Sequence, residues 1–321
     1  MRVPIVTRVL PLLVLVATPT AYAQIRWTQL SPAAAPPARG APAMAYDPDH
    51  AKIVLFGGFP AAGYLADTWI LEGHAWREIH PPASPPARAA AGFAWDAATH
   101  KLVLFGGYDG VHDLGDTWIF DGATETWTDA HPAAAPTAVT GPSLFTDPLL
   151  GRVDAFGGFN GMFYQLTTWQ WDGATWQQLH PAHSPSARAA AVAALDPVHG
   201  SVVLFGGLGS VNPNNTWLWD GVDWISQSPG TSIPLRYNSS AVFDETLQRV
   251  VVFGGGSGGT PLNDTWIWTG STWRQLFPSH TPTGRESFGL AYDRALRHTI
   301  LFGGDRSGNL LNDSWWLDLR P

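Results

Sequence analysis

Six Phe-Gly-Gly triplets punctuate the chain, beginning at Phe56, Phe105, Phe156, Phe205, Phe253 and Phe302, at spacings of 49, 51, 49, 48 and 49 residues. A self-similar unit of that length is the period of a four-stranded propeller blade rather than of a helical or ankyrin-type array. Each copy reads as four strands, a to d. In the second copy these run from Arg88 to Trp95, Lys101 to Gly107, Asp116 to Phe120 and Thr126 to Ala130, with turns at Asp96 and Asp121-Gly122. Val, Ile, Leu, Phe and Trp dominate b and c, Asp-Gly or Asp-Pro marks the tight turns, and no segment sustains a helical period. The sequence predicts an all-β chain, a six-bladed β-propeller.

The ends predict how the ring closes. The sixth copy stops after its c strand, Asp313 to Asp318, while Trp27-Thr28-Gln29-Leu30-Ser31-Pro32 matches the d strand Trp76-Arg77-Glu78-Ile79-His80-Pro81. A strand over about 25–30 therefore supplies the missing edge of the blade formed by 284–319, which removes an open join. Small residues such as Ala89-Ala90-Ala91 open strand a, where six strands converge on an axis. Tryptophan recurs farther out, in c (Trp69, Trp118, Trp169, Trp217, Trp266, Trp315) and in d (Trp27, Trp76, Trp127, Trp176, Trp224, Trp273). The other five, Trp95, Trp171, Trp219, Trp268 and Trp316, also fall in expected strands and read as core. The Gly doublets permit close backbone approach and a bend at the end of strand b.

Residues 1–23 read as a secretory signal: Arg2 and Arg8, the apolar stretch Val9 to Ala17, and Ala21-Tyr22-Ala23 as the cleavage site, leaving Gln24 first. Export to periplasm or medium, with 24–321 as one propeller domain, is the expectation. The absence of Cys means no disulfide framework, so packing alone must hold the fold. Loss of Arg2 and Arg8 moves the formal charge from −8 to −10, which argues against nucleic-acid or anionic-membrane partners.

The Gly doublet after an apolar strand, with Trp in the last strand, resembles the kelch repeat over essentially the whole mature chain. Where kelch blades carry Tyr in strand c, this chain has Leu71, Phe120, Trp171, Trp219, Trp268 and Leu317. The resemblance implies a propeller but not one function, since similar propellers include binding adaptors, a sugar mutarotase, a copper oxidase and specifier proteins. Copper chemistry of the galactose-oxidase kind needs a cysteine, which is lacking, and the spaced Glu, Asp and His of the iron-binding specifiers are absent. No cofactor or metal site is expected, because His80, His131 and His180 lie a blade apart.

Loops between b and c, and the connections from d to the next a, share one face, the default binding surface. Arg39, Arg88, Arg188, Arg236 and Arg285 each stand 17 residues before a triplet, with Val139 in the third copy. They have two readings: a ring that binds a carboxylated or sulfated ligand, or ion pairs with the Asp that opens strand c (Asp67, Asp116, Asp264, Asp313). The copy that lacks Arg also lacks Asp, having Thr167, and the fourth has Asn215. Asp47, Asp96, Asp147, Asp196, Asp244 and Asp293 read as turn devices.

Residues that break the repeat mark a candidate site. Tyr237 and Glu286 follow Arg236 and Arg285, and Asn238 follows Tyr237; Phe59, Tyr108 and Phe159 follow the first three Gly doublets; Asp305 and Arg306 follow the last. Loop residues Asp109, His112, Asp113, Met162, Phe163 and Tyr164 stand nearby. Two functions fit. One is a non-enzymatic module binding a glycan or protein partner through the loop face. The other is a carbohydrate epimerase, mutarotase or lyase, with Glu286 as acid or base, Tyr237 as proton donor and Arg236 or Arg285 holding a substrate carboxylate.

Overall fold

The computed structural model describes residues 25–209, 211 and 213–319; the expected signal peptide and its cleavage site lie outside these. Six four-stranded antiparallel sheets make six blades, and the described residues contain no helix. In blade 1 strands a to d are Ala43–Asp47, Lys52–Phe56, Thr68–Glu72 and Ala75–Ile79. Blade 6 consists of Gly289–Asp293, His298–Arg306 and Asn309–Leu319, closed by Ile25–Leu30. That closing strand pairs antiparallel from Ile25 opposite Leu319 to Leu30 opposite Ser314, the expected seal between the two ends of the chain.

The blades are joined by a repeated set of contacts. Each d-strand tryptophan lies against the Phe of the preceding blade's Phe-Gly-Gly, at centroid distances of 5.1–5.7 Å. Its indole N–H donates to a hydroxyl at the equivalent position of the preceding blade's strand c, at 2.9–3.2 Å: Trp27 to Thr265, Trp76 to Ser314, Trp127 to Thr68, Trp176 to Thr117, Trp224 to Thr168 and Trp273 to Thr216. The indole thus fills the widening gap between sheets while its one polar atom stays paired in the dry interior. At Gly57, φ is +63° and a Cβ would stand 2.5 Å from the Arg88 carbonyl, so the doublet lets the next blade's backbone come close. Gly58 N–H then bonds that same carbonyl at 2.8 Å.

Strand a departs from expectation. Its regular part in blade 2 is Gly92–Asp96, starting four residues after Arg88. The preceding residues instead circle the axis. The backbone N–H groups of Ala41, Ala90, Gly141, Ala190, Asn238 and Ser287 each donate to the carbonyl of the equivalent residue one blade away, at 2.6–3.2 Å, and the chain of six bonds closes on itself. All six residues have positive φ, from 47° to 63°. Five are not glycine, a conformation costing on the order of 1 kcal/mol each that the ring of bonds holds in place.

Farther along, strand a turns alternate side chains into the central channel. The inner level holds Met44, Phe93, Leu144, Ala193, Ala241 and Leu290, and these border two compartments, of about 170 Å³ on the loop-face side and about 240 Å³ toward the a–b turns. The wider compartment is walled by Tyr46, Trp95, Thr146, Leu195, Phe243 and Tyr292. Large side chains do therefore reach the axis, and Trp95, expected in the core, packs against that core while also lining the channel. The a–b turns follow the expected device: Asp47, Asp96, Asp147, Asp244 and Asp293 each accept from the amides two and three residues on, and Asp196 from that of His199.

Candidate functional site

The ligand-binding reading of Arg236 and Arg285 is corrected by their surroundings. Both side chains have no exposed surface. Arg236 makes a two-pronged pair with Asp264 at 2.7 and 2.9 Å and also donates to the Gly254 and Pro234 carbonyls. Arg285 does the same with Asp313, Gly303 and Thr283. Arg39 and Arg88 repeat the arrangement with Asp67 and Asp116. Each of these carboxylates also accepts the indole N–H of the c-strand tryptophan two residues on, at 2.6–2.8 Å. Burial alone would raise Asp116, Asp264 and Asp313, but the guanidinium beside each holds its carboxyl below the usual range. These groups are architecture: five long cations and their partners fasten strand a to strand c within a blade. In blade 3 the buried Val139 replaces Arg, and in blade 4 Arg188 meets Asn215 at 2.9 Å. With no counter-ion, burial pulls Arg188 down to about 10.

What remains at the loop-face mouth is set by one cross-strand pair per blade, joining the residue after Arg to the residue after the Gly doublet. Phe59 pairs with Gly40, Tyr108 with Ala89 and Phe159 with Thr140. Where one partner is small, the other carries the large side chain. Tyr64 meets Tyr108 edge-on at 5.8 Å, and Tyr164 packs on Phe159 at 5.0 Å, so two further rings extend the aromatic half of the rim. Partial burial, with Tyr108 and Asp109 nearby, raises the Tyr64 phenol.

The opposite half gathers the polar residues. Tyr237 pairs with Gly256 and Glu286 with Asp305. A Cβ on Gly256 would lie 2.6 Å from Glu286 Oε2 and 2.7 Å from the Tyr237 ring, so both side chains converge over this bare glycine. Asn238 Nδ2 donates to Glu286 Oε2 at 3.1 Å. Asp305 accepts from the Gly308 amide at 2.6 Å, and Arg306 is exposed beside it. The structure thus brings Tyr237, Asn238 and Glu286 together, and leaves Arg236 and Arg285 beneath the surface.

Beyond the rim, the b–c loops of blades 2 and 3 are built alike. Asp109 accepts from the amides of Val111 and His112, and Asn160 from those of Met162 and Phe163. These amides hold the Asp109 carboxyl below its usual range. Each turn pushes an apolar side chain into water: Val111 is 73% exposed, Met162 72% and Phe163 64%. Leu166 is exposed on the blade 3 loop, and Leu208 and Val211 on the b–c loop of blade 4. Of these six, Val111, Leu166 and Val211 were missed from sequence, although a large apolar residue within a loop carrying Gly and Asn or Asp was a readable signal.

A protein-family model, the KLHDC2/KLHL20/DRC7 Kelch-repeats domain, matches residues 20–207. No curated protein matches the chain.

Proposed function

The chain belongs to the kelch-repeat family, and from that premise we propose that it is an exported, non-enzymatic interaction module that grips a protein partner across the b–c and d–a loop face. The observation that carries this reading is the row of exposed apolar tips, Val111, Met162 and Phe163, beside a half-aromatic, half-acidic mouth. Side chains of this kind gain by being covered, and apolar anchors ringed by polar groups are the anatomy of a protein interface. A hydroxyl-rich glycan would leave the tips wet. The carboxylates of Asp109, Glu286 and Asp305 on the same face favour a segment that places Lys or Arg next to apolar residues. Kelch propellers commonly serve as protein-binding modules, which agrees with this choice.

The enzymatic alternative required Arg236 or Arg285 to hold a substrate carboxylate, and both are engaged in buried pairs. Export rests on the Arg2, Arg8, Val9 to Ala17 and Ala21-Tyr22-Ala23 pattern; the secreted form should begin at Gln24 on N-terminal sequencing. For the binding face, a random peptide library displayed on phage should yield apolar sequences flanked by Lys or Arg. Their binding should fall in Phe163→Ala and in Glu286→Gln. Recovery of no such peptides, together with saturable binding on a glycan array, would turn the assignment toward carbohydrate.

A further inference from the structure

The end of the channel away from the loop face carries a feature that partner binding does not use. Its compartment encloses about 240 Å³, against about 150 Å³ for an apolar cavity that admits benzene. Four of its wall positions are rings, Tyr46, Trp95, Phe243 and Tyr292, and its floor is the aliphatic and aromatic level of Met44, Phe93, Leu144 and Leu290. The wall is fixed in place. Tyr46 Oη accepts the Ala295 amide at 3.3 Å, Tyr292 Oη meets Thr246 Oγ1 at 3.0 Å, and Thr146 Oγ1 donates to the Trp95 carbonyl at 2.7 Å. The polar atoms of three wall residues thus bond to turns and neighbouring backbone, which leaves ring faces for a ligand.

At the mouth, Glu245 and Arg294 form an ion pair at 2.6 Å, the nearest charged groups to the opening. A sugar would bring several hydroxyls to a floor whose side chains offer them no partner, at a cost of about 1 kcal/mol or more for each left unpaired. A flat apolar ring brings none.

We propose that this compartment is a second binding site, separate from the loop face, for a neutral fused-ring aromatic small molecule with at most one polar edge, which faces Glu245 and Arg294. The volume accommodates two fused rings. Ring faces offset or edge-on to Trp95 and Phe243 supply the attraction.

The test uses 2-naphthol, titrated into the full mature protein and followed by the naphthol's own fluorescence. One-to-one saturable binding is expected, with cross-peaks by NMR between naphthol protons and the Ala193 and Ala241 methyl groups. Trp95→Ala should weaken it by about tenfold, and Ala241→Phe, which fills the floor, should abolish it with the near-ultraviolet circular dichroism retained. Glu286→Gln and Phe163→Ala should leave it unchanged, so failure of the loop-face proposal and failure of this one are separable. Absence of saturable binding, or cross-peaks only to loop-face residues such as Met162, would overturn the assignment.

Discussion

Trp27 donates its indole hydrogen to Thr265 Oγ1 at 3.2 Å, so the N-terminal strand joins blade 5 by the same bond that five other tryptophans make between their own neighbours. Its strand differs from theirs in one way. The other d strands are tied to strand c by a hairpin, whereas Ile25–Leu30 meets Asn309–Leu319 only through non-covalent pairing.

Trp27→Phe should therefore open the ring locally, while Trp127→Phe, held by its hairpin, should not. Each loses a buried bond and part of a large apolar surface, about 1–3 kcal/mol. Hydrogen exchange across 309–319 should accelerate sharply in Trp27→Phe and stay near wild type in Trp127→Phe. Equal protection in both variants would mean that the seal does not depend on this contact.

Blade 4 carries a flaw that can be repaired. Asn215 gives its amide oxygen to Arg188, and the buried Trp217 Nε1 is left without an acceptor, where the other c-strand tryptophans of Arg-bearing blades bond a carboxylate. Asn215→Asp should pair Arg188 from both sides and accept from Trp217, stabilising the fold by about 1–2 kcal/mol. In a chain of this size that is a rise in Tm of roughly 2–6 °C by calorimetry.

Asp154 occupies a strand b position that is Val or Ile in the other blades, Val54, Val103, Val203, Val251 and Ile300. It has no exposed surface; Gln170 and Trp219 donate to it at 2.9 Å each. Burial, and then the Asp147 carboxylate beside it, push it up to about 8. Between about pH 4 and 8 the folded state holds a proton that the unfolded chain has released. Stability should therefore be greatest at the acid end of this window and decline as pH rises through it, by on the order of 2–4 kcal/mol. Asp154→Asn should flatten that decline in denaturant titrations at pH 5 and pH 8; an unchanged slope would contradict the assignment.

Gly256→Ala tests the polar half of the mouth. Its φ is not in the left-handed region, so the backbone accepts alanine, but the new methyl would press on Glu286 Oε2 and the Tyr237 ring. Affinity for a selected peptide should fall by about tenfold with little change in Tm. A variant that binds as well as wild type would show that this cluster lies outside the contact.

The frame was legible in the sequence because it is written six times: the triplets set the blade count, Trp27 matched Trp76, and the shared absence of Arg and Asp in the third copy pointed to pairing. The backbone ring was not, because Ala41, Ala90, Gly141, Ala190, Asn238 and Ser287 share no side-chain chemistry, only a positive φ and a main-chain bond. Nor was the channel wall, since strand a looks small where it opens, and its larger alternate residues emerge only once the register is known. Tyr237 and Glu286 were found as departures from the repeat. The arginines failed as ligand contacts because repetition marked them as scaffold.

The hydrogen-exchange footprint of a display-selected peptide on the mature protein tests the central claim most directly. Protection is expected in the b–c loops over 106–116 and 157–167 and around 237–238 and 286–287, with the a–b turns at 47–50 and 244–247 unchanged. Protection at those turns, with the loops exchanging as in the free protein, would contradict the account.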